Sequence, residues 1–233
     1  FWYDIDQRLL DRMLDHGVSV EPWETQAVWA YGLNWSPVPV FQNYSAYTPA
    51  LDDLNAEEVA SDDGPERILQ QQVAASIDSR LTVWDAPAQA RATLCHFQPA
   101  ASQPGWVVLK RVPDRCGEQL PAGAADASEG EPVRVPKPGP NEVVLARIDG
   151  VRVSGLERLT ALLYRPTRRF IETSDGNVIR FIPGLAGQGL LLDSGKALRK
   201  REGGALLIPS TRTIAVTGAG DDLHFEFFRM KVD

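Results

Sequence analysis

Histidines, cysteines and paired carboxylates are the residues that could carry chemistry in this chain, and their spacing limits what it could be. The three histidines, His16, His96 and His224, are scattered, and no GxSxG elbow accompanies them to build a Ser-His-Asp triad. Carboxylates come as Asp52–Asp53, Glu57–Glu58, Asp62–Asp63 and Asp221–Asp222. Such pairs run acid–base chemistry on glycosides only when opposed across a cleft. The first three fall on or just after one predicted helix and read as a solvated face, which leaves a hydrolase built on Asp52 or Asp85 as a third reading. Asp221–Asp222 lies in GAGDD, a hairpin turn by composition, with a structural calcium loop as the alternative. No CxxC or Cys/His cluster suggests zinc, and no GxGxxG or GxxxxGK[ST] suggests a nucleotide cofactor. No catalytic residue is assigned and no cofactor is expected.

One stretch points to binding rather than reaction. PVFQNYSAYTPALDDLN (39–55) sets Phe41, Tyr44 and Tyr47 among Gln42, Asn43 and Ser45, between a predicted strand, VPVFQ, and a helix capped by Thr48 with Pro49 behind it. Ligands of parallel α/β sheets sit beyond strand ends, and aromatic faces beside amides suit a carbohydrate or a peptide. Phe41, Gln42, Asn43, Tyr44, Tyr47 and Asp52 are therefore the candidate ligand-binding residues. A joint in which the aromatics pack the helix onto the sheet is the competing reading. Basic runs RPTRR (165–169) and KALRKR (196–201) suit either an anionic group or solvated charge.

The elements that must position these residues follow from periodicity. Apolar spacing predicts helices over 4–17, 21–33 and 48–61, alternating with short strands at 18–21, 38–42 and 66–75. That alternation predicts a small three-layer α/β domain with a short parallel sheet over residues 1–117. A hairpin predicted between Cys95 and Cys116 would bring the two sulfurs together, giving a disulfide in an oxidising compartment; two separate buried thiols is the alternative. Residues 118–141 hold five prolines, three glycines and four alanines in 24 positions, which reads as a linker, with an edge strand at VRV. From 142 to 233, short β-type runs broken by DG, SDG, GQG and GAGDD predict an antiparallel, jelly-roll-like β-sandwich.

Composition excludes some partners. The chain has 233 residues, a net charge of −7 and 43% hydrophobic content, and lacks the basic footprint of a nucleic-acid binder. No run approaches the length of a transmembrane helix.

The words WSPVPVFQNYSAYTPALDDLNAEEV, GPERIL, IDSRLTVWD, LCHF and WVVLKRVPDRCG form a set. That set resembles the soluble C-terminal region of large, actinobacterial-type polytopic membrane proteins, uncharacterised or related to lipid-linked-sugar glycosyltransferases. The likeness covers roughly residues 18–117 and extends loosely into the β-rich half. It implies a non-catalytic tail on the extracytoplasmic face of a bacterial membrane. Its implied partners are a cell-envelope glycan, a lipid-linked sugar or its own transmembrane region. A start at Phe1 and a disulfide fit that expectation.

Overall fold

The structure, a computed structural model, describes residues 3–73, 75–151, 168–203, 207–220 and 222–233. The predicted strand at LTALLYR, most of RPTRR and Asp221 lie outside the described residues.

The first sheet has five strands in the order β2-β1-β3-β5-β4, where β1 is Gly17–Glu21, β2 Asn34–Trp35, β3 Arg67–Gln71, β4 Phe97–Gln103 and β5 Trp106–Arg111. Strands β1, β2 and β3 are parallel as expected, but the hairpin β4–β5 joins β3 antiparallel, so the sheet is mixed. Alternation along the strands serves both faces. Leu69, Trp106 and Val108 pack with Leu9, Met13, Ala27 and Val28 on one side. Ile68, Val107 and Leu109 pack with Val38 and Val59 on the other. The first face carries α1 (Gln7–Leu10) and α2 (Gln26–Ala30); the second carries α3 (Pro49–Ala60) and α5 (Pro87–His96), with the short α4 (Thr82–Asp85) preceding α5.

Two expectations in this half need correction. The strand lies at Asn34–Trp35, and VPVFQ is irregular chain leading to a 3-10 turn at Asn43–Ser45. Pro37 and Pro39 explain the shift, because neither has an N–H to give to a ladder. The first helix is one turn rather than the roughly four that 4–17 would make: the chain ahead of Asp6, which caps the helix by accepting from Leu9 N, is not helical. Asp4 instead adopts a positive φ of 46°. The Thr48 cap and Pro49 at the start of α3 are as expected.

Cys95 and Cys116 are disulfide-bonded. The predicted hairpin between them is β4–β5, and the cysteines lie just beyond its two ends: Cys95 sits in the last turn of α5, and Cys116 begins β6 (Cys116–Ala127). That strand occupies much of the stretch read as a linker. It runs antiparallel to β13 (Leu223–Val232), from Cys116 opposite Val232 to Ala127 opposite Leu223. Its small residues suffice because β6 is an edge strand: the backbone makes the ladder, and β13 supplies the bulk through Phe225 and Phe227. Pro121 is accommodated beside a register shift in that ladder. VRV contributes the short β7 (Val133–Arg134).

The β-rich half contains two antiparallel four-stranded sheets. One has the order β11-β8-β13-β6, with β8 at Glu142–Asp149 and β11 at Leu190–Ser194. The other is β10-β9-β12-β7, with β9 at Arg169–Thr173, β10 at Val178–Phe181 and β12 at Thr213–Thr217. Side chains of both sheets belong to a single core cluster that also takes in Val83 and Trp84 of α4. Trp84 Nε1 donates to Leu191 O at 2.8 Å. Arg91 of α5 donates to Gln188 O at 2.7 Å, and Arg115 pairs with Glu202 at 2.7 Å. Glu202 ends α6 (Lys196–Glu202), where KALRKR is a helix whose Arg199 pairs with Asp193.

Candidate functional site

The loop at 39–47 follows the carboxyl end of β2 and is held from two sides. Asn55 of α3 brackets Val40, accepting from its N–H at 2.7 Å and donating to its carbonyl at 3.0 Å, as a neighbouring strand would. Arg80 reaches in from the segment after β3 and donates to Tyr44 O through Nη1 at 3.2 Å and Nη2 at 3.3 Å. Its Nε donates to Ile77 O, and its guanidinium lies 5.6 Å from the Tyr47 ring centroid. Beside it, Asp78 and Ser79 take positive φ values of 60° and 61°. These are uncommon for residues other than glycine.

Arg80 is buried, and so is its partner Asp85, at 3.2 Å. Burial pushes the Asp85 carboxyl up to about 6, with Ser76 and the Arg80 charge pulling it only part of the way back. Asp85 thus serves as the counter-ion of the arginine that fixes the loop. Asp52 is equally enclosed. Its Oδ2 accepts from Ala88 N at 2.9 Å and its Oδ1 from Gln89 N at 3.0 Å, so it caps α5 from outside that helix. Burial raises its pKa in spite of those two bonds. Of the two aspartates, Asp52 holds a helix end and Asp85 an arginine. The reading of Asp52–Asp53 as a wholly solvated pair is corrected too, since only Asp53 is exposed.

The loop residues divide between two faces. Phe41 and Tyr47 point outward, 43% and 55% exposed. Gln42 and Tyr44 are half-buried and joined, Tyr44 Oη donating to Gln42 Oε1 at 2.9 Å. Asn43 is buried and faces inward, toward Glu21, Gln70 and Gln89.

Sequence reasoning missed half of the outward surface. Trp29, at the end of α2, is 61% exposed and meets the half-buried Trp35 of β2 at 4.8 Å between ring centroids. Trp35 meets Phe41 at 5.8 Å, again edge to face. The indole N–H of Trp35 has no acceptor among the described residues. Trp23 packs edge-on against Tyr44 at 6.1 Å. WAYGLNW, with its indoles six positions apart across Gly32, is the signal that could have found this pair.

Other candidates disperse. His16 lies beside Glu66, and His224 of β13 lies 2.6 Å from Asp126 of β6. Asp222 lines a surface cleft with Asp126, Glu131 and His224. Among the described residues, the side chains with metal-ligand atoms grouped closely enough to share an ion are Cys95, Asp114 and Cys116, and both sulfurs are committed to the disulfide. No helix among the described residues is long and apolar enough to cross a membrane.

Comparison of the chain with protein-family models, with curated proteins and with solved structures finds no significant match.

Proposed function

We propose that the chain is a non-catalytic extracytoplasmic domain of a bacterial, glycosyltransferase-like membrane protein, and that its aromatic surface binds a cell-envelope glycan or a lipid-linked sugar. One observation carries this reading: Trp29, Trp35 and Phe41 form a contiguous, solvent-facing aromatic cluster at the strand ends. Other exposed large apolar residues, such as Leu14, Leu120 and Val178, lie on separate elements of the fold. A contiguous apolar patch is what marks a contact surface. Aromatic faces bury the C–H faces of sugar rings, and nearby amides and hydroxyls orient the rest of the ligand. The disulfide suits an oxidising compartment, and the net charge of −7 argues against nucleic acid. In the same reading the two antiparallel sheets stack as a jelly-roll-like sandwich, supported by their shared core.

A second reading has its own support. Leu51 and Leu54 of α3 are 37% and 45% exposed, and aliphatic side chains favour a protein surface over a sugar. In that reading the domain is an interaction module that docks on a partner or on its own membrane region. An array of envelope glycans and lipid-linked sugars separates the two. The glycan reading expects binding that weakens at least tenfold in Phe41→Ala, with the unfolding midpoint unchanged. Silence across the array, with binding to envelope proteins that Leu54→Ala weakens, favours the interaction module.

A further inference from the structure

The aromatic cluster belongs to an uncharged part of the chain. Between Glu24 and Asp52 there is no Asp, Glu, Lys, Arg or His, although charged residues make up 24% of the sequence. Trp29, Trp35, Phe41 and Tyr47 all fall inside that stretch, and so do the exposed amides Gln26 and Asn34. Gln26 lies one turn before Trp29 on α2, so both side chains rise from one face of that helix. Asn34 precedes Trp35 in β2.

Charged side chains that border the stretch are turned to other partners. Glu24 is hydrogen-bonded to Tyr3. Asp52 caps α5, and Asp53 accepts from Gln188 Nε2 at 3.1 Å. His16, ahead of β1, sits between Glu66 and Arg67. Arg80 reaches the Tyr47 ring, but it is 3% exposed and paired with Asp85. The other guanidinium groups lying over rings are Arg111 on Phe97 and Arg147 on Phe228. Among the described residues, none covers Trp29, Trp35 or Phe41.

We propose that this surface selects uncharged sugars, an inference that rests on the glycan reading above. Its ligand is a neutral oligosaccharide, and a uronate, phosphate or amine on the same backbone weakens binding. Neighbouring rings meet at 64° between Trp29 and Trp35 and at 78° between Trp35 and Phe41. Each exposed ring therefore offers its own face to a sugar, and the C–H face of a sugar ring suits it. The amides of Gln26 and Asn34 can both donate to and accept from hydroxyls. A charged group set on the same surface loses water and finds no opposite charge in return. The net charge of −7 adds a general repulsion for anionic glycans. On a lipid-linked sugar the phosphate then lies outside the contact, so a sugar phosphate gains nothing over the free sugar.

A screen of the purified chain against neutral envelope oligosaccharides and their uronate-, phosphate- and amine-bearing counterparts tests the selection, with calorimetry of every binder. Neutral members should bind roughly tenfold more tightly than charged counterparts of the same length. Their Kd should change less than about twofold between about 20 mM and about 500 mM sodium chloride, because there is no ion pair to screen. Phe41→Ala should weaken each of these interactions. A charged member bound as tightly as its neutral counterpart, or strongly salt-sensitive binding of a neutral one, would overturn the selection. If Phe41→Ala weakens that binding, the glycan reading itself still stands. Silence toward every member, or binding that Phe41→Ala leaves intact, would overturn the glycan reading and the selection together.

Discussion

Arg80→Ala should unfasten the aromatic loop, and its cost should depend on pH. Arg80 is 3% exposed, pairs with the buried Asp85 at 3.2 Å and donates to the carbonyls of Ile77 and Tyr44. Above pH 7 Asp85 is ionised, so truncating Arg80 strands a buried carboxylate, which costs about 3–5 kcal/mol. Near pH 5 Asp85 already holds a proton, because burial pushes its pKa up to about 6. The ion-pair part of the cost then disappears, leaving the lost carbonyl hydrogen bonds at about 2 kcal/mol. Urea unfolding of wild type and Arg80→Ala at pH 5 and pH 8 measures both values. The variant should also show faster amide exchange over residues 39–47 under both conditions. A cost below about 1 kcal/mol at pH 8, or the same cost at both pH values, would refute the assignment of Asp85 as the counter-ion that lets Arg80 hold the loop.

Three further outcomes follow from the same contacts. Asp52→Ala removes the acceptor for Ala88 N and Gln89 N and should cost about 1–2 kcal/mol, read from urea midpoints. Removing the disulfide by Cys95→Ala with Cys116→Ala frees a loop closed over a separation of 21 residues. The loss should be about 3 kcal/mol, and dithiothreitol should reproduce it in the wild type. Asp85 titrates near 3.8 when unfolded and near about 6 when folded, so between those values the folded chain holds a proton that the unfolded chain has released. Its contribution to stability therefore falls as pH rises from about 4 to 6, by about 3 kcal/mol in all, and levels off above that range. Glu21 and Asp52, both raised by burial, act in the same direction. Asp85→Asn should flatten the wild-type decline over this range, and an unchanged slope would contradict the shift.

The parts of the fold legible in the sequence are those set by local chemistry. Thr48 and Pro49 announce α3 because a cap and a fixed φ act within a few residues. The partnership of Cys95 and Cys116 was legible too, because the predicted hairpin between them is the pair β4–β5, which sets Phe97 opposite Arg111. VPVFQ was misread because its apolar run outweighed two prolines that cannot join a ladder. β6 was misread because Ala, Gly and Pro look like a linker until β13 is there to pair with them. Nothing local marks Asp52 as a cap for α5, since its partners, Ala88 and Gln89, lie on another helix. Trp29 and Trp35 come together only when β2 takes the edge of the sheet beside α2. Glu21, Asn43, Gln70 and Gln89 are ordinary polar residues in sequence, and only packing brings them together. In the loop between Phe41 and Tyr47, the aromatics Phe41 and Tyr47 and the amide of Asn43 serve opposite faces.

Calorimetric titration of the purified chain with envelope glycan fragments, in parallel with Trp29→Ala, Phe41→Ala and the double variant, tests the glycan-binding claim most directly. The account predicts saturable binding by the wild type, weakened in each single variant and lost in the double variant, with all four proteins equally stable to urea. Binding that survives the double variant, or heat no greater than dilution with every glycan, would contradict it.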